Sequence, residues 1–353
     1  MEHAFRRANA FALGVEEELL LVEPGSFALA HRASEVMARL GDWVKPDVYE
    51  AEIETDSPIS PDAPRAAAAL DARRAELRAA GATLMGAGIH PDAAFGDVIH
   101  VPGSRYAAIA DSMRGLVRRT PTCALHVHVG MPDPETAIAA YNGLRAFLPL
   151  LQGLAAHSPY WHGLDSGFAS ARAQVFRGFP RAVIAPAFAG WDDYEGYVAD
   201  WLLAAEAPDY TYLWWDLRPH PRLGTVEVRA MDAQSRVASV AGLAALVHGL
   251  ARACADGEGP EPPPGPGLTE TSFRAGRDGL EATLWWRDGM RPLRAVAGDA
   301  LGLARDHGAG DALEEVERIL REGNGADRMR AAHAGGGMPA VLRALADETA
   351  QPL

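Results

Sequence analysis

Three consecutive carboxylates, Glu16, Glu17 and Glu18, interrupt an otherwise apolar run over residues 11–22. A segment of that composition is built for burial, and charge left uncompensated inside a fold is strongly unfavourable. Read as a strand over residues 13–22, its side chains alternate between faces, so Glu16 and Glu18 project together while Glu17 points the other way. Two carboxylates on one buried face repel each other unless a cation neutralises them. Taken alone, the segment could equally be an edge strand that displays solvated glutamates.

The same spacing recurs. Glu52/Glu54, His126/His128 and Glu227/Arg229 are also ionisable residues two apart in short strand-like segments. Each pair by itself is what a half-exposed strand shows. If the strands are neighbours in one sheet, the pairs gather carboxylates, imidazoles and a guanidinium on a single surface. A carboxylate-rich oxygen donor set suits Mg²⁺, with Mn²⁺ also possible, and both ions commonly bridge nucleotide phosphates. A zinc site of two histidines and a carboxylate remains an alternative, although HExxH and cysteine ligands are missing. It would imply metal-assisted hydrolysis.

Arginine does nearly all the basic work, because Lys45 is the sole lysine. That excludes a GxxxxGK[ST] phosphate loop and makes a Schiff-base lysine an unexpected device here. Arg218, His220 and Arg222 cluster in Trp214-Trp-Asp-Leu-Arg-Pro-His-Pro-Arg222, either as an anion-binding segment or as a surface loop anchored by tryptophans. Arg172 has the same two readings, an anionic-substrate contact or a solvated helix face. His157 and His162 read as structural, and Cys123, beside the His126 strand, reads as core rather than nucleophile.

A formal charge of −14 disfavours nucleic acid and anionic membranes as partners. Two widely separated cysteines give neither a disulfide framework nor a CxxC motif, so cytoplasm is the expected compartment. The first ten residues carry no apolar h-region, and no stretch of 18 uninterrupted apolar residues suggests a membrane span.

Strands are expected over residues 13–22, 48–55, 83–90, 123–129 and 225–230. Helices are expected over 64–80, 134–158 and 236–255, the second being a candidate homodimer face. A Pro/Gly-rich linker at 256–267 precedes a C-terminal helical segment within what reads as a single unit over residues 1–353. Irregular connections favour an α+β arrangement on a mainly antiparallel sheet.

Several blocks now fall into a known order: Gly14-Val-Glu-Glu-Glu-Leu19, Ile53-Glu54, Gly88-Ile-His-Pro91, Leu125-His-Val-His-Val-Gly130 and Ser158-Pro-Tyr-Trp161. Trp214-Trp-Asp-Leu-Arg-Pro-His220, Gly224-Thr-Val-Glu-Val-Arg229 and Arg274-Ala-Gly-Arg-Asp-Gly279 continue it. The chain thereby resembles the carboxylate–amine ligases related to glutamate–cysteine ligase, the type 2 group, over nearly its whole length. The resemblance implies a glutamine-synthetase-like fold in which a curved antiparallel sheet forms a funnel flanked by helices. It implies ATP as nucleotide and Mg²⁺ as metal, with small-molecule substrates, an amino acid and an amine, joined through an acyl phosphate.

Carried over by position, Glu16, Glu18, Glu54, His126 and Glu227 match metal ligands, with weaker support for Glu52. Arg229 and Arg218 match contacts to the transferring phosphate. Arg172 is a candidate for the α-carboxylate of a glutamate-like substrate, and His128 either for a nucleotide contact or for support of the metal ligands. Departures are the acidic stretch Glu52-Ile-Glu-Thr-Asp-Ser-Pro58 and Asp165-Ser-Gly167, where the group usually has Asp-Thr-Gly. A metal-dependent amidohydrolase and a non-catalytic nucleotide or metabolite sensor on the same fold are the competing functions.

Overall fold

A computed structural model, describing residues 1–287 and 289–353 and only the backbone of Ser104, places the glutamate-bearing strand in the middle of an antiparallel sheet. In chain order the strands are β1 (Leu13–Leu21), β2 (Val44–Pro46), β3 (Glu52–Asp56), β4 (Leu84–Met85), β5 (Ala124–Gly130), β6 (Tyr160–Trp161), β7 (Leu164–Asp165), β8 (Leu217–His220), β9 (Thr225–Asp232), β10 (Thr283–Trp286) and β11 (Gly289–Pro292). The helices are α1 (Ala33–Met37), α2 (Ala63–Ala79), α3 (Ser104–Met113), α4 (Pro134–Leu144), α5 (Leu148–Leu154), α6 (Ala171–Phe176), α7 (Trp191–Ala204), α8 (Val237–Ala255), α9 (Gly265–Asp278), α10 (Leu293–Asp306), α11 (Leu313–Glu322) and α12 (Gly325–Ala350). The main sheet runs β2-β3-β1-β5-β9-β8, with β4 paired to the end of β1, and β6–β7 and β10–β11 form separate hairpins. This is the expected α+β class.

Register turns the sequence pairs into rows. Glu18 lies opposite Glu54, and Glu54 opposite Lys45. Glu16 lies between Asp56 and His126. His128 faces Glu227, which faces Arg218. Directly opposed residues share a face, so these rows put the ionisable side chains together. Leu13, Val15, Leu125, Val127, Val129, Val226 and Val228 take the other face and join one apolar core with α4, α5 and α8.

Between β5 and β9 the register shifts: Val127 pairs with Val228, but Leu125 pairs with Met231. Two residues of β9, Arg229 and Ala230, therefore oppose the single residue His126, which is a β-bulge. Beyond it the alternation is inverted. Asp232, opposite Ala124, shares the face of Glu227 although the two are an odd number of residues apart.

Several boundaries differ from expectation. The strand expected at 48–55 starts only at Glu52. The one expected at 83–90 ends at Met85, because Gly86 and Gly88 bring the backbone against the end of β9. A Cβ at Gly86 would lie 2.3 Å from the Gln234 carbonyl oxygen. The single helix expected at 134–158 is split by a 3₁₀ turn at Arg145–Phe147. Pro149 has no amide hydrogen to donate to the Arg145 carbonyl, so the α ladder breaks there. Its faces are consumed inside the chain: every residue of α5 is buried, as are Ala137, Ile138, Ala140, Tyr141 and Leu144 of α4. They offer little to a second copy.

The segment at 214–222 is no surface loop. Leu217–His220 is the buried edge strand β8, where Pro219 is tolerated because one side of an edge strand needs no amide donor. The expected linker is irregular only through Pro264, since α9 begins at Gly265 with a proline in its first turn. α8 is long and apolar enough to cross a bilayer, yet 89% of its apolar window is buried in the fold. It packs against α2, α4, α10 and α11 as the central core helix.

Candidate active site

The ionisable face of the sheet floors a cavity of about 470 Å³. Glu16 and Glu18 from β1, Glu54 from β3, His126 from β5, Arg218 and His220 from β8 and Arg229 from β9 line it. The remaining walls come from Lys45 to Tyr49, from Arg105, Tyr106 and Ile109 of α3, from Arg172 and Phe176 of α6, and from Phe179 and Trp214. A smaller cavity of about 170 Å³ adjoins the other side of Glu16 and is lined by Gly14, Asp56, His128, Leu223 and Thr225. Glu16 thus borders both spaces.

Three groups could each hold a cation, with one ligand atom per residue and all atoms within 4.8 Å: Glu16, Glu54 and His126; Glu16, His128 and Glu227; and Glu18, Asp47 and Glu52. His126 places Nδ1 at 3.4 Å from Glu16 and Nε2 at 3.5 Å from Glu18. His128 Nε2 stands 3.5 Å from Glu16 and 3.7 Å from Glu227. Each group contains at most one imidazole. Among the described residues, none of these groups forms the two-histidine set that a zinc hydrolase reading requires.

Arginines frame the acidic array. Arg218 donates from Nε to Glu227 at 2.6 Å and from Nη1 to the Leu213 carbonyl at 2.7 Å. Arg229, re-aimed by the bulge, pairs with Glu227 and approaches His126 Nδ1 at 3.4 Å. Arg172 Nη2 donates to the Arg229 carbonyl at 3.4 Å, and its buried Nε has no hydrogen-bond partner among the described residues. Glu17 behaves differently. On the far face it is gripped by Arg74 of α2, whose Nε and Nη2 lie 2.9 and 2.6 Å from its two oxygens.

The electrostatics divide the carboxylates into two sets. Burial raises Glu18 to about 8, helped by the neighbouring Asp47 charge. Glu54 and Glu52 are pushed well above the usual range, first by burial and then by other carboxylates. Burial also acts on Glu16 and Glu227, but His128 and His126 outweigh it for Glu16, and Arg218 and Arg229 for Glu227, holding both well below the usual range. Burial with Arg229 nearby keeps His126 neutral, down to about 4, which leaves its lone pair available as a ligand. A surplus of buried carboxylates, with Glu52 Oε2 without a hydrogen-bond partner among the described residues, fits a divalent cation with oxygen preference.

Each residue singled out from the sequence can now be placed. Glu16, Glu18, Glu54, His126, Arg172, Arg218 and Arg229 meet in the larger cavity. Glu227 and Glu52 are buried at 1% and 0% exposure beneath it, and His128 opens on the smaller one. Cys123 is buried with its thiol 3.0 Å from Glu52, and burial raises it far from the thiolate a nucleophile needs. Asp47 escaped the sequence reading because it follows β2 in irregular chain, outside the expected strands. Lys45 escaped as well; it sits over the array at 2.7 Å from Asp56 and 3.8 Å from Glu54.

Comparison with known proteins decides the family. The sequence pattern of glutamate–cysteine ligase family 2 matches residues 12–344. The chain belongs to that family. A candidate glutamate–cysteine ligase 2-3 of Rubrobacter xylanophilus is 38% identical over 99% of this chain and 100% of its own length. As a member of glutamate–cysteine ligase family 2, the chain is an ATP-dependent carboxylate–amine ligase.

Solved structures agree on the fold of this ligase. The glutamate–cysteine ligase of Francisella tularensis, determined with AMP, superposes with a TM-score of 0.73 at 13% identity, covering 99% of this chain and 90% of that one. A bifunctional glutathione synthetase from Pasteurella multocida gives 0.65 at 12% identity over 97% of this chain and 52% of its own.

Proposed function

We propose that this ligase joins the γ-carboxylate of L-glutamate to L-cysteine or another small amine, with ATP and Mg²⁺, through an acyl phosphate. The observation that carries this reading is the convergence of Glu16, Glu54 and His126 with Arg218 and Arg229 on one cavity floor, with Glu227 buried beneath it. A substrate carboxylate oxygen attacks the γ-phosphorus and ADP leaves. The amine nitrogen then attacks the acyl carbon, phosphate leaves, and the amine loses a proton.

Glu16, Glu54 and His126 would hold one metal ion, Glu16 with Glu227 and His128 could hold a second, and Glu18 falls with Asp47 and Glu52 instead; Mn²⁺ would serve as a substitute. When bound, Mg²⁺ supplies charge neutralisation for the phosphate oxygens. Arg229 and Arg218 place positive charge beside the transferring phosphoryl group, where it develops charge in the transition state. Their own charge is fixed in position by Glu227, so little reorganisation is needed at the moment of transfer. Arg172 receives the α-carboxylate of the amino acid substrate, and His128 faces the nucleotide. Ile109, Val117, Phe176, Phe179 and Trp214 contribute apolar wall that excludes water from an acyl phosphate.

The test is ADP release by purified protein with L-glutamate and a panel of amines. Release should need ATP, Mg²⁺ and both substrates, and mass spectrometry should detect the condensation product. If no pair supports metal-dependent turnover, and Glu16→Ala and Glu227→Ala leave any ATP hydrolysis untouched, the reading is wrong.

A further inference from the structure

Blocks 88–91, 158–161 and 274–279 supply none of the proposed metal ligands or phosphate contacts, yet the first two close around one carboxylate, Asp232, and the third holds its partner Ser170. It is 1% exposed and carries three hydrogen bonds. Oδ2 accepts from the His157 amide at 2.8 Å and the Ser158 hydroxyl at 2.7 Å, and Oδ1 accepts from the Ser170 hydroxyl at 2.8 Å. Gly88 packs so tightly against it that a Cβ there would lie 2.6 Å from Asp232 Cγ. Gly276 holds the remaining partner, its carbonyl accepting from the Ser170 amide at 2.8 Å.

Both hydroxyls act a second time. Ser158 Oγ accepts from the Arg172 amide at 3.1 Å, and Ser170 Oγ caps α6 by accepting from the Ala173 amide at 3.2 Å. The first turn of α6 is therefore fixed through groups that Asp232 orients. The carboxylate also stands 3.9 Å from Arg172 Nη1, on the same guanidinium whose Nη2 reaches the Arg229 carbonyl. With those two anchors behind it, Arg172 lines the cavity while its buried Nε has no hydrogen-bond partner among the described residues.

We propose that Asp232 is a positioning residue: through Ser158 and Ser170 it sets the backbone and guanidinium of Arg172 for the carboxylate of the incoming amino acid. This rests on the role given to Arg172 above and extends it to residues that touch no substrate. A buried hub of this kind separates holding the substrate from transferring phosphate, so its loss should be felt in substrate KM rather than in the chemical step.

The full chain is assayed for ADP release with L-glutamate, ATP and the amine varied in turn. Asp232→Asn and Ser158→Ala should each raise the KM for L-glutamate roughly tenfold, with kcat and the KM for ATP within about twofold. Asp232→Asn should add nothing in an Arg172→Ala background. An unchanged KM, an equal loss in every parameter, or additive effects with Arg172→Ala would overturn the proposal. Amide hydrogen exchange needs no turnover and supplies the second measurement. Faster exchange confined to residues 171–173 in Asp232→Asn supports the hub, and unchanged protection there refutes it. Absence of ADP release in the unaltered protein would remove the ligase substrates proposed above, and the exchange result would still decide the role of Asp232.

Discussion

Glu17 and Arg74 form a fully buried, two-pronged ion pair, on the opposite face of β1 from Glu16 and Glu18, with side-chain exposures of 1% and 0%. Arg74 also donates to the carbonyls of Ser235 at 2.5 Å and Gln234 at 2.8 Å, tying α2 and β1 to the start of α8. The middle carboxylate of the triplet is thus a structural strut between two that line the cavity. Arg74→Met should cost about 3–5 kcal/mol, because it strands a buried carboxylate. The double variant Glu17→Leu/Arg74→Met should recover part of that loss but not all, since two carbonyls remain without donors. Urea unfolding midpoints of the single and double variants check both statements, and a single variant as stable as the parent would contradict the first.

Glu227 is shared by Arg218, Arg229 and His128. Glu227→Gln keeps the shape and an acceptor oxygen but removes the charge that fixes both arginines. ADP release should fall by about 100-fold or more, with the near-ultraviolet circular dichroism of the folded protein retained. Full activity in this variant would separate the β9 carboxylate from catalysis.

Alternation alone made part of the site legible. Glu16/Glu18, Glu52/Glu54, His126/His128 and Glu227/Arg229 share a face because strand periodicity is two, and sheet order then brings them together. Asp232 was illegible for the opposite reason: the bulge at Arg229 and Ala230 inverts the alternation, so simple counting puts it on the wrong face. Asp47 lies outside any strand and Arg74 on a helix, where a charged side chain resembles every other solvated one. β8 was obscured by Pro219, which only an edge position accommodates. The helix at 134–158 failed locally, at Pro149, while its burial came from tertiary packing that no periodicity records.

His157 supplies a stability switch with a definite sign. It is fully buried, its Nδ1 lies 3.0 Å from the Ala233 carbonyl, and burial together with Arg328 lowers it from 6.5 to about 4. The unfolded chain binds a proton near pH 6.5, whereas the folded one does so only near 4. The contribution is therefore complete above pH 6.5 and is lost as pH falls through this window, on the order of 3 kcal/mol in all. His157→Gln should flatten the slope of unfolding free energy between pH 7 and 4 relative to the parent. Denaturant titrations of both proteins across that range give the difference, and identical slopes would assign the acid sensitivity to other groups.

Gly88 and Gly298 make opposite predictions for the same substitution. A Cβ at Gly88 would meet Asp232 Cγ at 2.6 Å and Oδ2 at 2.7 Å. That carboxylate cannot retreat, since His157, Ser158 and Ser170 hold it from the other side. Gly88→Ala should therefore destabilise by about 1–3 kcal/mol and raise the KM for L-glutamate as Asp232→Asn does. Gly298 lies inside α10, where an added Cβ meets nothing within 4 Å. Gly298→Ala should stabilise by about 0.5–1 kcal/mol, because alanine loses less backbone freedom on entering a helix. Paired urea titrations and L-glutamate kinetics on the two variants read both signs. A Gly88→Ala protein with normal stability and normal KM would mean that the loop at 88 yields freely, and that Asp232 is held less tightly than its hydrogen bonds require.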